Sequence, residues 1–336
     1  MRCGSIVFAV SMGLGHLAKS FFDAGLITDV LIQRHRSRQE HPEWFPGAQR
    51  YTHDGAYEFC KKQDVMLFLE TPFSWELIPY CREHGVKTVI MPMYECMPKV
   101  ISHQPDLWLC PSVLDFQYTA AFDPTHKTPC TILPVPVSVP WRQRTKAEVF
   151  VHNAGNGGLK GRNGTQELLD AWQYIKSPVE MKVRHQGELA SGASMKRNAA
   201  GGMLTVQPGT IPYENLFEHG DVFIFPEKFN ALSLPLQEAY ASGMLVMATD
   251  RFPMNTWLPT APLIPVQSYQ KTCVHPRFVD FQQAVIDPKA IAAKVDEWYG
   301  RDVSGYSLEG KEWADTMSWE VLKPKYAALL EDLVNG

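Results

Sequence analysis

The chain has 336 residues, more than one hydrophobic core usually organises, so two domains of roughly 150 residues with a ligand cleft between them are expected. Its 45% hydrophobic and 20% charged content is that of a soluble globular protein, and a formal net charge of -4 excludes global attraction to nucleic acid or anionic membrane, so any polyanion contact has to be local. Seven cysteines, an odd number without a C-x-x-C pair, argue against a disulfide framework and a zinc site and for reduced, mostly buried thiols in a cytoplasmic protein.

Arg2 and the apolar run 6–10 resemble the start of a signal peptide. The run is short, however, and leads into Gly13-Leu14-Gly15-His16 without a small-x-small cleavage pattern, so it reads as a buried first strand. No stretch approaches the ~18 apolar residues that a bilayer span requires. Strands are expected at 5–10, 30–33, 65–69, 88–91 and 107–110, short apolar runs of the kind a parallel sheet buries on both faces, with a helix over 75–84 stopped by Gly85. Residues 132–140 carry three prolines and read as an interdomain linker. Beyond it the alternation restarts: strands at 149–153, 180–184, 203–207, 221–225 and 245–248, and helices at 165–172, 213–219 and 236–242. The expected domains are 1–138, joined by a C-terminal helix at 316–336, and 139–315.

Several constellations carry chemistry. The turn 153–164 is glycine-rich and sits between a strand and a helix; Gly157 and its neighbours let backbone N–H groups approach an anion while Lys160 and Arg162 supply full charges. It suits a diphosphate, with a plain surface loop as the alternative. In 221–250 a buried strand runs into a turn, then a helix opens near Pro235 with Glu238 in its first turn; alone, that is ordinary helix-start chemistry. Gly13 and Gly15 sit between strand one and helix one, where glycine serves either a ligand approach or a plain tight turn. Glu70 and Glu95 end predicted strands and are placed to meet an acceptor hydroxyl, with turn chemistry as the alternative.

Taken whole, 221–250 resembles the donor-site signature of retaining GT-B glycosyltransferases of the family-four type. The resemblance implies an α/β fold of two Rossmann-like domains whose parallel sheets face a central cleft. It places Glu238 on the ribose hydroxyls of the donor nucleotide and Asn230 where the family has a first glutamate, with seven residues between the two. An amide there keeps hydrogen bonding but loses the charge. Glu227 falls too early in this register unless the turn is rearranged. The backbone N–H groups of Ala231, Leu232 and Ser233 are expected to face the sugar or diphosphate. Gly161-Arg162-Asn163-Gly164 before Leu168-Leu169 resembles the family's phosphate-binding residue and following helix, and Arg184, at a strand end, joins Asn163 among the donor-side candidates. Ser318-Trp319-Glu320 followed by Tyr326 resembles the last helix, which in these enzymes returns to the first domain. The family often has a histidine near Tyr94-Glu95; here there is none, so Glu95, Glu70, Arg162 and Lys160 are the catalytic candidates.

The implied activity is metal-independent transfer of a hexosyl or pentosyl group, with retention, from a UDP- or GDP-sugar substrate, with no resident cofactor. The acceptor stays open among DNA, glycan, lipid and small molecule. Basic clusters at 34–38 and 141–146 serve either a polyanion, such as DNA with hydroxymethylated pyrimidines, or simply solvent. An epimerase or phosphorylase-like enzyme of the same fold and a catalytically degenerate sugar-nucleotide-binding module are the rivals. A monomer or dimer is expected.

Overall fold

A computed structural model describes residues 1–123, 127–155, 161–186 and 194–336. The chain divides into two units, one of Met1–Pro136, Cys273–Val279 and Trp319–Gly336, the other of Val137–Thr272 and Asp280–Ser318.

The first unit holds strands β1 (Cys3–Phe8), β2 (Asp29–Gln33), β3 (Gln49–Arg50), β4 (Val65–Glu70), β5 (Lys87–Pro92), β6 (Leu107–Cys110) and β7 (Cys130–Ile132) in one sheet. The order is β3-β2-β1-β4-β5-β6-β7 and every pairing is parallel. Helices α1 (Gly13–Asp23), α2 (His53–Cys60), α3 (Leu77–Glu83) and α4 (Val113–Phe122) follow β1, β3, β4 and β6 in the chain. Helix α3 is shorter than expected and ends before Gly85, whose φ of 72° places it in the left-handed region. The last helix of the chain, Trp319–Asn335, belongs to this unit: Trp319 and Tyr326 both meet Phe21 edge-on, at 5.1 and 5.0 Å. The Tyr326 hydroxyl donates to the Pro134 carbonyl at 3.0 Å.

The second unit contains β8 (Val149–Gly155), β9 (Glu180–His185), β10 (Ser194–Arg197), β11 (Met203–Pro208), β12 (Val222–Phe225) and β13 (Leu245–Ala248), in the order β10-β11-β9-β8-β12-β13. All pair in parallel except the edge strand β10, which is antiparallel to β11. The alternation of side chains explains why both faces are apolar. Phe150, Val222, Ile224, Leu245 and Met247 face one core with Leu168, Ile291 and Trp298, whereas Val151, Phe223, Phe225, Val246 and Ala248 face the other with Leu236 and Tyr240. The helices carrying those partners are α5 (Thr165–Ala171), α6 (Leu234–Ala241) and α7 (Pro288–Trp298).

The segment 213–219 is not the helix its sequence predicts; it holds only a 3-10 turn, Tyr213–Asn215. Arginines from elsewhere take the carbonyls: Arg184 Nη1 donates to Leu216 O at 2.9 Å, Arg144 Nη2 to Phe217 O at 2.7 Å and Arg142 Nη1 to Glu218 O at 3.2 Å. All seven cysteines are free. Among the described residues no helix is long and apolar enough to cross a membrane.

In each sheet the chain starts at a central strand, moves outward on one side and then reverses to the other. The reversal leaves a switch point between β1 and β4, and another between β8 and β12. Open α/β sheets bind ligands outside the carboxyl ends of the strands at such points.

Candidate functional site

The second unit's switch point is built around the turn leaving β12. Glu227, 0% exposed, accepts from Ser233 Oγ at 2.7 Å and from Arg251 Nη2 at 3.1 Å. Arg251, just beyond β13, also donates to the Asn230 carbonyl at 2.6 Å. Burial pushes the Glu227 carboxyl up, opposed by Arg251, the Ser233 hydroxyl and the charge of Arg162. Glu227 is therefore folded beneath the turn as its internal anchor. Asn230, also buried, accepts at Oδ1 from the N–H groups of Leu232 and Ser233 at 3.2 and 2.9 Å. Two of the three backbone donors expected to face a sugar or diphosphate are thus held by the Asn230 side chain. Ser233 sits at φ 48°, a left-handed conformation that costs a non-glycine residue about 1–3 kcal/mol and tends to mark functional turns.

Beside this turn lie buried polar atoms without partners. Asn153 lies two residues before the end of β8, and neither its Nδ2 nor its Oδ1 has a hydrogen-bond partner among the described residues; the same is true of Arg184 Nε on β9 and Thr249 Oγ1 just after β13. Asn153 and Arg184 are register partners across β8 and β9. Each such group costs about 1–3 kcal/mol unless something satisfies it, and these three residues stand at or near the carboxyl ends of β8, β9 and β13. Asn153 and Thr249 had no signal in the sequence beyond standing at strand ends. Burial lowers the affinity of Arg184 for its proton, and Nη1 is committed to the Leu216 carbonyl.

Glu238 lies half-buried in α6 and accepts from the phenolic hydroxyl of Tyr213. Burial raises its carboxyl to about 7, with the Tyr213 hydrogen bond opposing. Tyr213 was missed by sequence reading because it contacts Glu238 from 25 residues away.

Of the glycine-rich turn, Gly157 and Lys160 lie outside the described residues. Gly161, Arg162, Asn163 and Gly164 are described. The Arg162 guanidinium lies over the Phe229 ring at 5.8 Å, and its carbonyl accepts from Lys228 N at 2.7 Å. Asn163 Nδ2 donates to the Ala154 carbonyl at 2.9 Å, so its amide braces the turn against β8. Gly164 has φ 67°, and a Cβ there would lie 1.9 Å from the Pro226 carbonyl oxygen. His152 locks the same region: Nδ1 donates to the Ile224 carbonyl at 2.9 Å, so Nε2 accepts from Thr165 Oγ1 at 2.7 Å. Burial lowers this imidazole to about 4 and keeps it neutral.

In the first unit Glu70 closes β4 at φ 73°, so that Glu70 and Ser233 are the two non-glycine residues with positive φ among those described, one at each switch point. Gly13 opens α1. Gly15 has to be glycine for packing, since a Cβ there would lie 2.0 Å from the Val10 carbonyl oxygen. Glu95 stands after β5 in a 3-10 turn and is 2% exposed, deeper than an acceptor-facing acid needs to be. It neighbours a second buried acid, Asp115, which burial and then the Glu95 charge push up to about 8. The basic cluster at 141–146 is structural: Arg144, 2% exposed, donates to carbonyls of Gly220, Arg142 and Phe217, and Lys146 pairs with Glu148 at 2.5 Å.

No family model and no curated protein sequence matches the chain. Solved structures do match its fold. The pneumococcal O-GlcNAc transferase GtfA in complex with UDP and GlcNAc aligns with TM-score 0.60 and 13% identity over 83% of this chain and 60% of that one. A glycosyltransferase from Rickettsia africae aligns with TM-score 0.64 and 11% identity, covering 99% and 98% of the two chains. Anabaena HepE in complex with UDP gives TM-score 0.67 at 8% identity over 99% and 100%. The chain spans about three fifths of GtfA and essentially the full length of the other two. The fold is that of GT-B glycosyltransferases, α/β with two Rossmann-like parallel sheets.

Proposed function

We propose that the protein is a glycosyltransferase that takes a hexose or pentose from a UDP- or GDP-sugar, without a metal and with retention of configuration, and passes it to an acceptor hydroxyl. The second unit holds the donor. The observation that carries this is the set of buried polar atoms, unpartnered among the described residues, on Asn153, Arg184 and Thr249 at or near the carboxyl ends of β8, β9 and β13, in the unit whose turn carries Ser233 in a left-handed conformation and whose helix α6 carries Glu238. That is where an open α/β sheet takes a nucleotide. Glu238 takes the ribose hydroxyls, and Arg162 with Lys160 offsets the charge that develops on the departing diphosphate, the kind of preorganised electrostatics that dominates such reactions. Asn163 and Gly164 shape the turn that presents Arg162, and the Ala231 N–H, with those of Leu232 and Ser233 once Asn230 yields them, serves the sugar or diphosphate. Gly13, Gly15, Glu70 and Glu95 belong to the acceptor-side unit.

A catalytically inactive sugar-nucleotide-binding module is the second reading, favoured by Asn230 in place of an acid and by the closed Glu227 and Arg251 pair. Incubation with UDP-glucose, UDP-GlcNAc and GDP-mannose, with the released sugar followed by proton NMR, decides between them. Turnover with the α-anomer formed first supports a retaining transferase. Binding of a donor with no release or transfer supports the module.

A further inference from the structure

Three features meet at the carboxyl edge of the first unit's sheet. The loop leaving β2 carries Arg34, Arg36 and Arg38, and its acid, Glu40, is already occupied: Oε2 accepts from Arg50 at 2.6 Å and Oε1 from the His35 N–H at 3.0 Å. The charge of Arg34 also acts on Glu40, whereas Arg36 and Arg38 make no ion pair among the described residues, and Arg34 and Arg36 are exposed. The loop is pinned next to β1, because His41 N donates to the Ala9 carbonyl at 2.7 Å and Glu40 bridges to Val10. In the cluster at 141–146, by contrast, Arg144 is buried in backbone contacts and Lys146 pairs with Glu148.

The second feature is aromatic. Phe8 meets His35 edge-on at 5.2 Å and Phe73 at 5.0 Å, and Tyr51 lies 6.1 Å from Phe73. Phe73 nonetheless leaves 37% of its surface in solvent. The third is a crevice of about 60 Å³ at the switch point, lined by Phe8, Leu14, Glu70, Thr71, Pro72 and Phe73. It has room for a few heavy atoms but not for a ring.

We propose that the acceptor is a nucleic-acid strand presenting a hydroxyl on a short arm of one base. Arg34, Arg36 and Arg38 hold its phosphates, the base stacks on the exposed face of Phe73, and the arm enters the crevice beside Glu70, whose carboxylate accepts a hydrogen bond from the hydroxyl. A neutral glycan or lipid acceptor makes no use of the three cations. The proposal rests on the transferase reading. The acceptor oxygen bonds to the anomeric carbon, the bond from that carbon to the diphosphate breaks, and the nucleoside diphosphate leaves with the electron pair and takes up the hydroxyl proton.

The test measures anisotropy of a fluorescein-labelled single-stranded oligonucleotide containing 5-hydroxymethylcytosine, across a salt series, with dextran sulfate as competitor and UDP calorimetry in parallel. Three phosphate contacts give a slope of log affinity against log salt of about -2. Replacing Arg34, Arg36 and Arg38 by Gln abolishes most of that slope, and Phe73→Ala weakens binding about fivefold or more. Both variants keep the UDP affinity of the wild type, and mass spectrometry shows a sugar added to the oligonucleotide. Binding of UDP with none of the oligonucleotide overturns the acceptor assignment alone. Displacement by dextran sulfate at equal charge with no effect of Phe73→Ala overturns it in favour of an anionic glycan. Failure of UDP to bind overturns the transferase reading beneath it.

Discussion

Tyr213 donates its hydroxyl to Glu238 Oε1, joining the turn after β11 to the middle of α6. This bond lowers a carboxyl that burial has raised to about 7. Because its folded value lies above the ordinary 4.5, the stability Glu238 contributes is fully present below 4.5 and is lost as pH rises through about 7. Ribose hydroxyls favour the ionised form, so affinity for UDP-glucose should rise up to about tenfold between pH 6 and 8. Calorimetry across that range checks this. Glu238→Gln should flatten the profile and raise Tm at pH 8, and Tyr213→Phe should move its midpoint upward.

Asn153 separates folding from binding. Its amide is buried without a partner among the described residues, so Asn153→Leu removes an uncompensated polar group and should leave stability unchanged or raise it by about 1 kcal/mol. UDP affinity should fall about tenfold. Thermal melts with and without UDP measure both effects in one experiment. A variant that loses stability and keeps affinity places Asn153 outside the site.

Glu227 and Arg251 form an ion pair with side chains 1% and 3% exposed. Removing one partner leaves a buried charge uncompensated, so Arg251→Met should destabilise by about 3–5 kcal/mol in urea unfolding. The double variant Glu227→Gln with Arg251→Met should recover part of that loss, because no charge is then stranded.

Gly164 is fixed by geometry rather than chemistry. A Cβ there meets the Pro226 carbonyl oxygen at 1.9 Å, and φ is 67°. Gly164→Ala should cost at least about 2 kcal/mol by thermal denaturation, whereas Gly161→Ala meets no atom within 4 Å and strains only the backbone at φ 107°.

How much of this was legible in the sequence depended on whether the cause was local. Strands such as Val222–Phe225 and Leu245–Ala248 showed as apolar runs because both faces of the sheet are covered. The edge strand Ser194–Arg197 and the hairpin of Ser268–Thr272 with Phe281–Val285 carry exposed polar residues and gave no such pattern. The 3-10 turn at Tyr213–Asn215 and the pairing of Glu227 with Arg251 depend on arginines brought from distant positions, which spacing does not reveal. Asn153 looked like any residue at a strand end; its two unsatisfied atoms became visible only once the surrounding atoms were placed. Conversely, a motif singled out Glu238 and a glycine-rich turn before a helix singled out Gly164, although Glu238 stands at the fifth position of α6 and not in its first turn as the sequence suggested.

The central claim, a nucleotide-sugar site in the second unit that uses Glu238, is tested most directly by titrating UDP into the wild type and Glu238→Ala in a calorimeter at pH 8. Binding at a single site, weakened at least about tenfold in the variant, is the predicted result. Equal affinity in the two proteins, or no binding of UDP or GDP by the wild type, contradicts it.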